Sequence, residues 1–330
     1  MAGLADVDGD GLGDVVIGAY KDGLGGIEAG AVFISSGSVQ GEVALDDARL
    51  ILTGEVSGDW AGYSVATLDD ATGDGRQDLL IGSPYEDSGG SKAGAAYIVS
   101  TTHTGTRSLA LAEASFYGEV SLDRAGTAVG DPGDIDGDGV GDILVGAWGD
   151  SVMGSRAGAA YIVYGPVNGE QSLADADAKR TGETAGHRAG WAVGGGGDVD
   201  GDGLDDALIG APYASKTYAL GGAQSGSASL STAAVVFVGS ETSFRAGSSV
   251  ATGGDFDADG SVDVLIGAPG EDSGGTEAGA VFVVAGPVSG MVDLDGADGI
   301  LIGANSRDVV GTGVAGDADL QGFMAHKILL

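Results

Sequence analysis

One pattern governs what this chain can fold into: an aspartate-rich loop that runs straight into an apolar stretch and returns at a fixed step. DVDGDGLGDVVIGA begins at Asp6, DATGDGRQDLLIGSP at Asp70, DIDGDGVGDILVGAW at Asp134, DVDGDGLDDALIGAP at Asp198 and DFDADGSVDVLIGAP at Asp255. The steps are 64, 64, 64 and 57 residues. A period of this length marks a repeat architecture, in which each unit buries its apolar faces against its neighbours.

More than the loop repeats. Eight residues before each of the last four motifs stands a small-residue pair: Ala61-Gly62, Ala125-Gly126, Ala189-Gly190 and Ala246-Gly247. After each motif come a turn-rich stretch and a second apolar run: 30–35, 94–99, 158–163, 233–238 and 279–284. A weaker run follows, as in ARLILTG (48–54) and GILIGA (299–304). No helical period appears. Gly is 66 of 330 residues, nearly three times ordinary usage, which fits many short strands and tight turns. Each period therefore reads as four strands, A to D, with the acidic loop between A and B. The expected fold is all-β, a β-propeller of four-stranded blades.

The whole chain, 1–330, is read as a single domain of repeat units at about 1–59, 60–123, 124–187, 188–244 and 245–308, with a partial sixth at 309–330. The first unit is expected to lack strand A. At the other end VVGTGVAGDADLQ (309–321) supplies a further A, with Asp317 and Asp319 as remnants of a sixth loop and HKILL (326–330) as a degenerate B. Either that late A closes the ring with the first unit, or blades are missing. The reading taken is a fragment of a six- or seven-bladed ring. The stretch YALGGAQSGSASLS (218–231), in the unit shortened by seven residues, is expected to be a flexible excursion.

The formal net charge of −35 argues against nucleic acid and against anionic membrane surfaces. With 43% hydrophobic residues the chain is nevertheless no disordered polyanion, and no stretch approaches the length of a membrane span. The N-terminus does not read as a signal peptide. There is no Cys, and the three His (His103, His187, His326) stand out of register, which disfavours zinc.

Carboxylates at loop positions 1, 3, 5 and 9, with Gly at 4 and 6, suit a hard cation that takes six to eight oxygens. Side chains from those positions and the carbonyl of position 7 can wrap it. The candidate ligands are Asp6, Asp8, Asp10, Leu12 (carbonyl) and Asp14; Asp134, Asp136, Asp138, Val140 (carbonyl) and Asp142; Asp198, Asp200, Asp202, Leu204 (carbonyl) and Asp206; and Asp255, Asp257, Asp259, Ser261 (carbonyl) and Asp263. In the remaining loop Thr72 takes position 3, beside Asp70, Asp74, Arg76 (carbonyl) and Asp78, and a weaker site is expected. The cation expected is Ca2+, at about five sites. Mg2+ resists giving up its waters to such a cage. An EF-hand needs a Glu at position 12 and flanking helices; here position 12 is Ile17, Ile81, Val145, Ile209 and Ile266, each inside an expected strand.

With those residues in place, the unit A-G-x-x-V…D-x-D-G-D-G-x-x-D-x-x-I-G-A-P…A-G-A-x-Y-I-V resembles the FG-GAP repeat of the integrin α-subunit propeller head. "GAP" stands as 210–212 and 267–269, as Gly82-Ser83-Pro84 and as Gly146-Ala147-Trp148; Ala-Gly replaces "FG". The resemblance implies calcium in the A–B loops and a protein or glycan ligand on the opposite face, built from B–C and D–A loops. Carried over, that face includes Tyr85, Glu86, Asp87, Trp148, Gly149, Asp150, Tyr213, Glu271 and Asp272, with Trp60 and Trp191 near the D–A side.

The function expected is therefore a non-catalytic calcium-binding module for adhesion or protein contact. Calcium sites of ordinary affinity fill at extracellular, not cytosolic, concentrations, so the expected place is extracellular or cell-surface. The other reading is a calcium-stabilised accessory domain of a larger secreted hydrolase or lyase. Paired aspartates resemble glycosidase carboxylates, but they recur in every unit, whereas an active site occurs once. No nucleophile elbow or acid–base cluster stands outside the loops. No nucleic acid and no membrane insertion are expected.

Overall fold

The computed structural model describes residues 1–39 and 41–316. The expected remnant loop at Asp317 and Asp319, His326 and the terminal HKILL strand lie outside the described residues. The chain divides into two compact units, 1–131 with 140–147 and 163–176, and 132–139 with 148–162 and 177 onward.

The first unit holds two complete meanders. Ala2–Leu4, Asp14–Ala19, Ala31–Ser35 and Leu50–Thr53 pair in chain order, each antiparallel to the next. Ser64–Leu68, Asp78–Ser83, Ala95–Ser100 and Ala114–Tyr117 do the same. In the second unit the order is Ala192–Gly195, Ala207–Ala211, Lys216–Leu220, Val235–Val238, and then Ser249–Thr252, Val264–Ala268, Ala280–Val284, Gly299–Ile302. The third repeat is shared out: Ala128–Gly130 pairs with Ile143–Ala147 in the first unit, and residues 159–162 pair with 178–181 in the second. These are the strands A to D of a propeller blade.

The B and C strands are buried throughout in the second repeat, at every residue of Asp78–Ser83 and Ala95–Ser100. That is why they read as continuous apolar runs rather than alternations. Neighbouring sheets supply the cover. In the first unit Val16, Val32, Ile34, Leu50 and Leu52 of one sheet share a core with Leu79, Ile81, Tyr97 and Val99 of the next. In the second unit Leu208, Val235 and Phe237 share one with Val264, Ile266 and Phe282.

The small-residue pairs follow from the same closeness. A Cβ on Gly82 would lie 2.0 Å from the Gly126 carbonyl oxygen, and one on Gly267 would lie 2.1 Å from that of Gly311. The glycine of "GAP" and that of the next repeat's small pair are thus a matched contact, closed to any side chain.

Three expectations are corrected. First, Ala2–Leu4 is a strand A, in register with Asp14–Val16, so the first repeat has one. Three residues are too few to show an alternation in sequence. Second, strand C of the fourth repeat is Lys216–Leu220, and the run at 233–238 contains strand D (Val235–Val238). Eleven residues separate B from C in the second repeat (84–94) but four in the fourth (212–215), which accounts for the whole shortening from 64 to 57. Third, 218–231 is no flexible excursion. It contains the end of strand C, a strand at Gly226–Ser229 and the start of a one-turn 3-10 helix.

Gly226–Ser229 belongs to a class of strand missing from the four-strand reading. The C–D connection of one repeat lays a short strand parallel to strand D of the repeat before it. Gly105–Ser108 lies beside Leu50–Thr53, Gly169–Ser172 beside Ala114–Tyr117, Gly226–Ser229 beside Ala178–Thr181, and Gly290–Asp293 beside Val235–Val238. Most sheets therefore have five strands.

Candidate metal centre

The hairpin between strands A and B positions each acidic loop. Position 9 opens or directly precedes strand B and is buried in all five loops: Asp14, Asp78, Asp142, Asp206 and Asp263 are each at most 3% exposed. Positions 4 and 6 adopt positive φ, as at Gly201 (83°) and Gly203 (92°), so the chain doubles back twice within the loop. In the fifth loop Ala258 takes that conformation (62°), at some strain.

The result is a set of carboxylates fixed by backbone N–H groups. In the fourth loop Asp198 accepts from the amides of Gly201 (2.6 Å), Asp202 (3.0 Å) and Gly203 (2.9 Å). Asp200 accepts from Asp202 (3.1 Å), and Asp202 from Leu204 (2.9 Å). Asp206 Oδ2 accepts from Val199 (2.7 Å) and Asp200 (3.0 Å). The first loop repeats this: Asp6 accepts from Gly9, Asp10 and Gly11, Asp8 from Asp10, Asp10 from Leu12, and Asp14 from Val7. So does the fifth, where Asp255 accepts from Asp259 and Gly260, Asp257 from Asp259, Asp259 from Ser261, and Asp263 from Phe256. In the second loop Asp70 accepts from Asp74 and Gly75, and Asp78 from Thr72. The third is divided between the units. Asp134 accepts from Gly137, Asp138 and Gly139 and Asp136 from Asp138 in one, while Val140 and Asp142 belong to the other.

Within the units the loops bring carboxylate oxygens together. Asp6, Asp8 and Asp10, then Asp198, Asp200 and Asp206, then Asp255, Asp257 and Asp259 each place one oxygen apiece within 4.8 Å of the others. These acidic clusters have the spacing and chemistry to hold a metal ion. Among the described residues the Asp70 loop forms no such group, and Thr72 stands where the others have the position-3 carboxylate. The amides of Leu12, Leu204 and Ser261 are spent on the position-5 aspartates.

The electrostatics point the same way. Burial pushes the Asp206 carboxyl up to about 7, helped by the nearby charge of Asp200 and opposed by the Val199 amide. Burial also pushes Asp78 up to about 6. Asp206 Oδ1 and Asp78 Oδ1 are buried with no hydrogen-bond partner. A bare buried carboxylate oxygen beside like charges is costly, and a bound cation would relieve that cost.

A contribution from the end of strand C was not read from the sequence. The Ser36 and Ser100 hydroxyls donate to Asp10 (2.8 Å) and Asp74 (2.7 Å), and the Gly37, Gly165 and Gly286 amides donate to Asp14, Asp142 and Asp263 (each 3.1 Å). The signal in the sequence is the glycine two residues beyond strand C in the first, third and fifth repeats, Gly37, Gly165 and Gly286.

The residues expected on a ligand face separate into two kinds. The aromatics form clusters laced with cations. Trp60 and Tyr85 lie with ring centroids 4.1 Å apart, and Tyr20 packs on Trp60 at 5.3 Å. Lys92 and Arg124 sit over Tyr85. In the second unit Trp148, Trp191 and Tyr213 form a row, with Arg188 within 4.0 Å of the Tyr213 centroid. The acidic residues instead build turns. Glu86 accepts from the Ser88 amide and hydroxyl and Glu271 from those of Ser273, while Asp87 and Asp272 accept from the amides of Lys92 and Glu277. Asp150 is buried in an ion pair with Lys179 at 2.8 Å. Tyr213 is partly exposed.

The family model of the FG-GAP repeat matches residues 61–99, 189–230 and 246–284. Integrin alpha pat-2 of Caenorhabditis briggsae is 29% identical over 228 residues, which is 62% of this chain and 17% of the relative. Integrin alpha-PS2 of Drosophila melanogaster is 33% identical over 223 residues, 62% of this chain and 14% of the relative. Integrin alpha-PS3 of the same fly is 32% identical over 176 residues, 51% and 15%. The chain thus spans about a sixth of the length of the curated relatives it matches. Among the described residues no helix is long and apolar enough to cross a membrane.

Proposed function

We propose, from the premise that this chain carries FG-GAP repeats and is similar to integrin α subunits, that it is a non-catalytic, calcium-stabilised module of β-propeller type that binds a protein or glycan partner outside the cell. The observation that carries the reading is the convergence of three fixed carboxylates in repeated loops, with the Asp206 oxygen buried and unpartnered in one of them.

Calcium would be held by positions 1, 3, 5 and 9 with the position-7 carbonyl: Asp6, Asp8, Asp10, Leu12 and Asp14 in the first loop, and the corresponding residues of the third, fourth and fifth. The Asp70 loop, with Thr72, Asp74, Arg76 and Asp78, is the weaker site. When bound, the ion neutralises charge that the loop cannot dissipate alone. The chain's own work is done beforehand: the amides orient the carboxylates, and the strand hairpin fixes their spacing. Ions that bind only the folded state stabilise it by about 1–4 kcal/mol per filled site. Millimolar calcium outside cells fills sites of this class, which supports an extracellular or cell-surface place.

A partner is proposed to meet the aromatic–cation clusters of either unit, Trp60–Tyr85 in the first and Trp191–Tyr213, backed by the buried Trp148, in the second, at the strand ends opposite the acidic loops. Rigid aromatic rings flanked by Arg and Lys are common anchors of protein and glycan contacts.

Thermal unfolding in millimolar calcium and then in excess chelator tests the calcium reading. The expected drop on chelation is more than about 10 °C, since roughly 2 kcal/mol per site over several sites is large against a marginally stable fold. Equal unfolding temperatures would count against it.

A further inference from the structure

The second unit leaves three arginines without a carboxylate. Arg188 lies over Tyr213 (4.0 Å to the ring centroid), Trp148 (4.9 Å) and Trp191 (5.6 Å). Arg156 shares the Trp148 ring (5.8 Å), and Arg245 shares the Tyr213 ring (5.8 Å). Guanidinium and ring thus alternate from Arg156 through Trp148, Arg188 and Tyr213 to Arg245. Among the described residues none of these three arginines makes an ion pair. Lys179 and Lys216 of the same unit do, with Asp150 at 2.8 Å and with Glu183 at 3.0 Å. The chain has 49 acidic residues to 14 basic ones, so acid is not scarce; the fold directs it elsewhere. Glu183 also accepts from the Tyr218 hydroxyl, and Glu241 from that of Ser243.

The backbone sets the three side chains in place. Each arginine stands before an Ala-Gly pair with φ of 55° or 56°, a left-handed conformation that is strained for a residue with a β-carbon. The Arg188 amide donates to the Arg156 carbonyl (3.1 Å), so these two turns lie side by side and bring two like charges over one ring. In the first unit Lys92 and Arg124, both at φ 56°, are joined in the same way (3.2 Å) over Tyr85. Like charges held this close oppose one another, and an anion set between them relieves the repulsion.

We propose that Arg156, Arg188 and Arg245 are a docking site for an acidic segment of a partner protein, one that carries two or three Asp or Glu beside an apolar residue. This rests on the reading that a partner meets the ring clusters, and gives that partner its chemistry. A guanidinium lying over a ring keeps its planar fork of N–H donors for a carboxylate. Guanidiniums already lie over Trp148 and Tyr213, where a sugar would stack. Apolar surface stands at the rim: Val152 is 65% and Met153 47% exposed, in the turn that the Arg156 amide closes on the Ser151 hydroxyl (3.0 Å). Both features favour a peptide over a glycan. The net charge of −35 opposes an acidic partner only at long range, since about 0.15 M salt screens charges beyond about 8 Å.

Fluorescence anisotropy of the full chain with a labelled decapeptide holding three Glu among Gly, Ser and Leu tests this, in millimolar calcium and about 0.15 M salt. The Gln counterpart of that peptide is expected to bind at least about tenfold more weakly. Arg188→Gln should weaken the Glu peptide about tenfold, and the exposed Arg245→Gln about threefold, each variant being checked for a parent-like unfolding temperature. Arg188→Lys keeps the charge without the fork and should restore binding only in part. Arg307, exposed and over no ring among the described residues, is the control, and Arg307→Gln should change nothing. Equal binding of the Gln peptide would overturn the acidic class while leaving the ring cluster as a contact site. Tighter binding of a sulfated oligosaccharide would overturn the peptide, and Glu-peptide binding untouched by either Gln variant would overturn the site. Binding of none of the three probes would overturn both the site and the reading beneath it.

Discussion

The fourth and second acidic loops start from the same plan and end differently. Both bury the position-9 aspartate fully, and both leave one of its oxygens without a partner. In the fourth, Asp206 is joined by Asp198 and Asp200 within 4.8 Å and burial takes it to about 7. In the second, Thr72 replaces the position-3 carboxylate, no such group forms, and burial takes Asp78 to about 6. The buried aspartate is thus a feature of the hairpin, whereas position 3 decides whether the carboxylates gather around a common point. Position 9 thus serves folding, and position 3 serves the proposed metal site.

The largest expected effect separates these roles. Asp206→Ala strips two amides of their acceptor and removes a proposed ligand, so it should cost about 3–5 kcal/mol in calcium. Asp78→Ala should cost about 1–3 kcal/mol, because its loop gains less from the ion. Denaturant unfolding of both, with calcium and with chelator, checks this: the gap between them should narrow sharply in chelator. A gap that persists would mean that the ion is not its source.

A buried carboxylate outside any loop serves as the control. Asp59 accepts from the Val56 amide (2.9 Å), and burial raises it to about 6. A carboxyl raised in this way stabilises the fold most below about pH 4, and that contribution is lost as pH rises through about 6. Asp59→Asn should therefore be about 1–2 kcal/mol more stable than the parent at pH 7.5, with little difference at pH 4. Unlike the loop variants, this gain should be the same with and without calcium. Urea titrations at the two pH values would show it.

The smallest effect is a gain. Thr72→Asp gives the second loop the carboxylate it lacks. In calcium it should add about 1 kcal/mol and tighten one weak site. In chelator it should destabilise slightly, through one more like charge. Thermal shifts of opposite sign in the two conditions are the signature.

Strands B, C and D were legible because their residues are local and apolar, and the loop because aspartates at positions 1, 3, 5 and 9 have few other uses. The error in the fourth repeat came from register: with seven residues gone from the B–C connection, VVFV looked like the strand that Lys216–Leu220 in fact supplies. The parallel strands were invisible for a different reason. GTRS, GEQS and GSAS are polar and largely exposed, and what makes them strands is a D strand contributed by another repeat. The aromatic clusters were anticipated as surface residues, but their stacking with Arg124 and Arg188 depends on neighbours that only the fold brings together.

The central claim is that repeated aspartate loops hold calcium and so rigidify the sheets they join. Calorimetric titration of calcium into the chelator-treated chain, beside Asp198→Ala, tests it most directly. The account predicts several sites in the parent, one fewer in the variant, and the rest unchanged in affinity. Identical stoichiometry in the two proteins, or no heat of binding in either, would contradict it.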